Sequence, residues 1–171
     1  MTSVSQPVVL AGDDENSIDL FVSSGYGKGC IRLNVTANDG EFVVNETWEK
    51  SRAMKSKFNT VVCADGYAYG MDDKILTCVD LATGKRKWKN GRYGYGQLML
   101  VGDILVIQAE SGKLALVRAT PEKYEELARI SPLSRKTWNT PALCGNRLLI
   151  RNDTEAVCLE LPIRKKENEE L

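Results

Sequence analysis

The chain contains no histidine. Ser-His-Asp and Cys-His catalysis, and every His-ligated metal site, are thereby excluded. It also lacks a net charge, since 23 Lys plus Arg balance 23 Asp plus Glu over 171 residues. A dedicated binder of nucleic acid or of an anionic membrane needs a basic face, so this balance argues against both. No hydrophobic run approaches the ~18 residues of a membrane helix. The stretch Met1 to Val9 has no basic start and no apolar core, so no signal peptide is expected there. Three Asn-x-Ser/Thr triplets, at Asn34, Asn45 and Asn152, then read as chance rather than glycosylation sites.

Cysteine pairs of the useful kinds are missing too. Cys30, Cys63, Cys78, Cys144 and Cys158 include no adjacent pair and no C-x-x-C, which argues against a zinc ribbon or a thioredoxin-like site. Their settings, such as Val62-Cys63-Ala64 and Val157-Cys158-Leu159, predict small buried hydrophobes. Spacing alone leaves one disulfide pair open.

What the sequence does hold is a repeat. Apolar runs of strand length alternate with turn dipeptides: Val61-Val62-Cys63, Asp65-Gly66, Tyr67-Ala68-Tyr69, Asp72-Asp73, Ile75 to Val79, Thr83-Gly84. This reads as a meander of β-hairpins. A first turn recurs as Asp65-Gly66, Gly102-Asp103 and Gly145-Asn146, and a second as Asp72-Asp73-Lys74, Ser111-Gly112-Lys113 and Asn152-Asp153-Thr154. Gly25-Tyr26-Gly27-Lys28-Gly29 takes the second-turn place near the N-terminus; it lacks Gly-Lys-Ser/Thr and a following helix, so it reads as a turn rather than a phosphate loop. Trp48 and Trp88 close the first two units.

A period near 40 with four short strands per unit is the pattern of a β-propeller blade. The expected fold is all-β: a partial propeller of about four antiparallel four-stranded blades, the last incomplete. The units run over residues 6–50, 57–90, 95–130 and 138–161, and a charged tail over 163–171 is expected to fray. Thr120 to Arg129 has a cap, a first-turn proline and good helix formers. Its place in the repeat is a third turn and fourth strand, so strand is expected, with room for one helical turn near Pro121.

The stretch Cys78-Val79-Asp80-Leu81-Ala82-Thr83-Gly84-Lys85-Arg86-Lys87-Trp88 resembles the repeat of the PQQ-like (quinoprotein) β-propeller superfamily. The resemblance extends from about Pro7 to Pro162 and weakens in the other units: unit three lacks the Trp, and unit four stops before the Thr-Gly. It implies that Cys78 and Cys158 let blades approach, that Asp80 and Gly84 shape a tight turn, and that Trp88 lies across the seam between blades. Propellers of this family usually have six to eight blades. Four units therefore imply part of a larger ring: a C-terminal half, a truncated product, or half of an eight-bladed ring made by two chains. Relatives of this look are typically bacterial and exported.

Two functions follow from the resemblance. One is a non-catalytic scaffold or binding module, as in propellers that assist outer-membrane protein assembly. The alternative is a fragment of a PQQ-dependent alcohol dehydrogenase-like quinoprotein, in which PQQ and calcium lie over the channel. This chain has no vicinal cysteines, and Asp13-Asp14-Glu15-Asn16 lacks the spacing of a calcium loop. That acidic run reads as a hairpin tip, so no cofactor is evident. Lys85 to Lys89 and Lys50 to Lys57 are locally basic, but on an outermost strand such charges face water, so nucleic acid is not the expected partner. A ligand face would form where inter-blade loops and second turns meet: Arg92, Tyr93, Tyr95, Arg135, Trp138, Asn139, Asn152 and Asp153. Aromatics beside Arg and Asn suit a protein or carbohydrate ligand, but plain seam packing is the favoured reading of them.

Overall fold

Two-residue turns set the register of the whole chain. A computed structural model describes residues 5–12 and 15–162. Asp13, Asp14 and the tail over 163–171 lie outside the described residues. Asp65 and Gly66 both take positive φ, 51° and 83°, as a type I′ turn requires, and Ala64 pairs with Tyr67 directly across them. At the corresponding place Gly102 and Gly145 alone are left-handed, the pattern of a II′ turn.

The turns fold the chain into four antiparallel sheets, each in simple sequence order. Blade 1 holds β1 (Val8–Ala11), β2 (Ser17–Ser24), β3 (Gly29–Asn38) and β4 (Glu41–Glu46). Blade 2 holds β5 (Val62–Ala64), β6 (Tyr67–Asp72), β7 (Ile75–Asp80) and β8 (Arg86–Arg92). Blade 3 holds β9 (Gln97–Val101), β10 (Ile104–Gln108), β11 (Leu114–Arg118) and β12 (Glu126–Ile130). Blade 4 has three strands, β13 (Ala142–Cys144), β14 (Arg147–Arg151) and β15 (Ala156–Glu160). No helix occurs among the described residues. The helix-like stretch after Thr120 bends at Pro121 and Glu122 and then runs as β12, because β11 offers its free edge from Leu114 to Val117.

Period-2 alternation sends each central strand of blades 2 and 3 into two seams at once. From β10, Leu105 and Ile107 join Tyr69, Met71, Leu76 and Cys78 of blade 2, whereas Val106 joins Leu148 and Ile150 of blade 4. From blade 2, Ala68 and Val79 turn the other way, toward Phe21, Cys30 and Met54. Each fully buried Leu or Ile contributes roughly 1.5–3 kcal/mol. The seams, rather than the turns, therefore carry the fold.

Tryptophans clasp two of these seams. Trp48 donates its indole N–H to the Leu81 carbonyl at 3.0 Å, and Trp88 donates to the Thr120 carbonyl at 2.8 Å. A Cβ on Gly84 would stand 2.6 Å from the Trp48 ring, so the glycine serves both its left-handed turn and the indole above it. Asp80 closes that turn by accepting from the Ala82 and Thr83 N–H groups, both at 2.9 Å.

One polar hub lies between blades 1 and 2. Asp72, 1% exposed, receives Lys55 and Lys89 at 2.5 Å and Arg86 at 3.0 Å. Burial alone would raise its pKa, but the hydrogen bonds and charges of Lys55 and Lys89 hold it below the ordinary carboxylate value.

The two end blades each leave one face open. On blade 1 the face turned away from blade 2 carries Val9, Ile18, Leu20, Val22, Ile31, Leu33, Val35, Phe42 and Val44, as cross-strand pairing shows. Phe42 is 75% exposed and Val9 67%. On blade 4 the open face holds Ala142, Cys144, Leu149, Ala156 and Cys158, with Arg147, Arg151 and Glu160 among them. All five cysteines are free. Cys30 and Cys78 are buried as expected, but Cys144 and Cys158 are exposed, which corrects the expectation of burial. The alternation explains it: Val157 and Leu159 face the seam, so Cys158 between them must face out.

Candidate binding cleft at the loop end

An antiparallel meander returns every second turn and every inter-blade link to the same end of the blades. The links over residues 47–61, 93–96 and 131–141 meet the second hairpin turns there. Backbone bonds tie them together: Tyr93 N–H to Lys74 O (3.0 Å), Glu110 N–H to Tyr93 O (2.8 Å) and Thr137 N–H to Glu110 O (2.9 Å).

Two adjoining cavities open at this end. The larger, ≈ 540 Å³, is lined by Arg92, Tyr93, Gly94, Glu110, Ser111, Ser134, Arg135 and Lys136. The second, ≈ 430 Å³, is lined by Arg135, Lys136, Trp138, Asn139 and Asp153. Arg135 and Lys136 stand between them. The Arg92 guanidinium makes no ion pair or hydrogen bond among the described residues; that of Arg135 makes no close one, although, after the Ser134 and Asn152 hydrogen bonds, its charge helps to lower the Glu155 pKa. The larger cavity thus has three cations and one carboxylate.

That carboxylate is already engaged. Glu110 accepts the Trp138 indole N–H at 2.9 Å and the Tyr95 N–H at 3.2 Å. Trp138 is 47% exposed, Lys136 lies 4.4 Å over its ring, and Phe58 meets it edge-on at 5.4 Å. Phe58 also contacts Tyr95 at 5.4 Å, and Lys57 donates to the Tyr95 hydroxyl at 2.8 Å. This bond to Tyr95 is the main reason the Lys57 pKa is raised.

Of the residues singled out from the sequence, Arg92, Tyr93, Arg135, Trp138, Asn139 and Asp153 come together along these cavities. Tyr95 lies outside them, in the aromatic shelf beside Lys57 and Phe58. Tyr93 contributes little chemistry: burial pushes its hydroxyl far up, and that group faces Tyr124 and Glu126, both at 2.7 Å. Asn152 is buried and shapes its own turn, accepting from the Thr154 and Glu155 N–H groups, both at 2.9 Å. Sequence reasoning missed Glu110, Lys136 and Phe58. Glu110 and Lys136 had a usable signal, since each adjoins a turn or link already placed at this end.

The Ser134 hydroxyl donates to Glu155 at 2.8 Å, and the Glu110 oxygens are occupied. Among the described residues no three His, Cys, Asp or Glu groups converge as metal ligands. Guanidiniums without a close partner beside an exposed indole suit recognition of an anion.

The sequence matches no family model and no curated protein. Among solved structures the chain is similar to BamB from Moraxella catarrhalis, a β-propeller, with TM-score 0.56 and 14% identity over 90% of this chain and 41% of that one. It is also similar to the computationally designed Ika4 protein, with TM-score 0.55 and 10% identity over 95% of this chain and 99% of that one. The chain therefore spans less than half the length of BamB. At these identities the likeness shows the fold, a β-propeller-like arc.

Proposed function

We propose that this chain is a non-catalytic binding module, a sector of a β-propeller whose loop-end cleft takes an acidic peptide segment. One observation carries this reading: Arg92 and Arg135 flank one cavity, neither guanidinium held by a hydrogen bond or close ion pair among the described residues, next to the half-exposed Trp138. Glu110 is the single carboxylate lining that cavity, and its hydrogen bonds to Trp138 and Tyr95 hold it in the wall. An acidic side chain can then meet a guanidinium bidentately while apolar parts rest on the indole. The donor set supports this over the quinoprotein alternative, because the cleft offers no converging carboxylates for calcium and the chain has no vicinal cysteines.

The test is calorimetric titration of the full chain with a glutamate-rich peptide and with oligogalacturonate. Each charge-assisted hydrogen bond is worth roughly 1.5–3 kcal/mol, so Arg92→Gln with Arg135→Gln weakens peptide binding by a factor of ten or more. Raised salt weakens it as well. Equal affinity in the double variant, or binding of oligogalacturonate but not peptide, overturns the reading.

A further inference from the structure

Indoles fill two seams of this chain, and the third is left with an indole-sized slot. Trp88 pairs with Cys78 across β7 and β8, and Ala128 holds the same register position in blade 3, opposite Leu116. The short Ala128 side chain leaves a half-open cavity of ≈ 190 Å³ whose apolar wall is Leu114, Leu116, Ala128, Ile130, Leu159 and Leu161. An apolar cavity of about 150 Å³ already accepts benzene, so this volume suits a bicyclic ring.

An acceptor for each indole lies just past the third strand of the next blade: Leu81 for Trp48, and for Trp88 Thr120, one residue beyond Ala119. Leu81, Ala119 and Leu161 are equivalent, because each N–H bonds the carbonyl of the second residue of its first turn: Gly66, Asp103 and Asn146. Trp48 donates to the Leu81 carbonyl. The Leu161 carbonyl stands in the matching place and receives one long bond, 3.4 Å, from Asn146 Nδ2. Beside the slot, β15 pairs with β14 and has its other edge open among the described residues.

The geometry points to a recognition site at the seam of blades 3 and 4 for an extended partner segment carrying a tryptophan. The segment runs along the open edge of β15, and its indole, on the face shared with Val157 and Leu159, enters the cavity over Leu116 and Leu159 with its N–H toward the Leu161 carbonyl. Specificity comes from an apolar wall that a flat ring fills and from an acceptor that an aliphatic side chain would leave unused.

The test uses 5-fluoroindole as probe, followed by ¹⁹F NMR on the full chain. The wild type should show saturable binding and a raised unfolding midpoint. Ala128→Trp, which supplies the indole from within, should weaken probe binding at least roughly tenfold, and Ala128→Leu does the same should the larger variant not fold. Arg92→Gln with Arg135→Gln should leave probe binding unchanged, which separates this site from the loop-end cleft. Absence of saturable binding, or equal binding in wild type and the Ala128 variants, overturns the proposal.

Discussion

Trp88 and Tyr124 meet edge-on at 5.9 Å across the seam of blades 2 and 3, while the Trp88 indole N–H is bound by the Thr120 carbonyl. The ring thus joins the outer strand of one blade to the bend before the outer strand of the next. Trp88→Ala removes both the packing and the bond, and should cost about 3–5 kcal/mol in urea unfolding. Trp88→Phe keeps most of the packing and should cost about 1–2 kcal/mol. A loss below about 1 kcal/mol for Trp88→Ala would show that the clasp does not hold the seam.

Asp72 and Glu126 make stability depend on acid. The Arg129 hydrogen bond draws Glu126 down to about 2, and Asp72 is also held below its ordinary 3.8. A carboxylate depressed in the folded state contributes stability above its unfolded pKa and loses it as pH falls through the folded value. Unfolding free energy should therefore be flat from about pH 5 to 7 and decline below about pH 4.5. Asp72→Asn should lower stability at pH 7 by about 2 kcal/mol and flatten the acid limb. An unchanged acid limb in that variant rules out the hub as its source.

The turns and the alternation made most of the fold legible. Asp65-Gly66, Gly102-Asp103 and Gly145-Asn146 each demand a left-handed residue, so the hairpins and their register follow from them. Thr120 to Arg129 misleads when read locally, because helix propensity there is outweighed by the open edge of β11. The exposed Cys158 could have been foreseen from its apolar neighbours. The aromatic shelf could not, because Phe58, Tyr95 and Trp138 come from three different links and meet only once the blades are packed.

The open face of blade 1 predicts a second copy. Only Glu46 is charged among the side chains that the register places with Val9, Ile18, Leu20, Leu33 and Phe42. Contiguous exposed apolar faces of this kind mark interfaces. The open face of blade 4 offers small Ala142, Cys144, Ala156 and Cys158 around Leu149, against which bulky side chains can pack, with Arg147, Arg151 and Glu160 among them. Two such arcs in one ring would place these faces together twice. Native mass spectrometry should show twice the chain mass, and Phe42→Glu with Val44→Glu should return the single mass. A wild type that stays at the single mass throughout the micromolar range would mean that other blades cover this face.

The cysteines report on the same contact. Burial pushes the Cys63 and Cys78 thiols up to about 12 and raises Cys30 as well, so these three stay protonated at pH 8, with Cys30 and Cys78 buried and Cys63 half-buried. Cys144 and Cys158 are exposed on the open face of blade 4. Ellman's reagent should therefore titrate two thiols rapidly in the Phe42→Glu, Val44→Glu variant and the remaining three only after unfolding. In the wild type the two fast thiols should become slower as protein concentration rises, because the second copy's blade 1 then lies over them. Rates independent of concentration, in a protein of doubled mass, would place the contact on some surface other than blade 4.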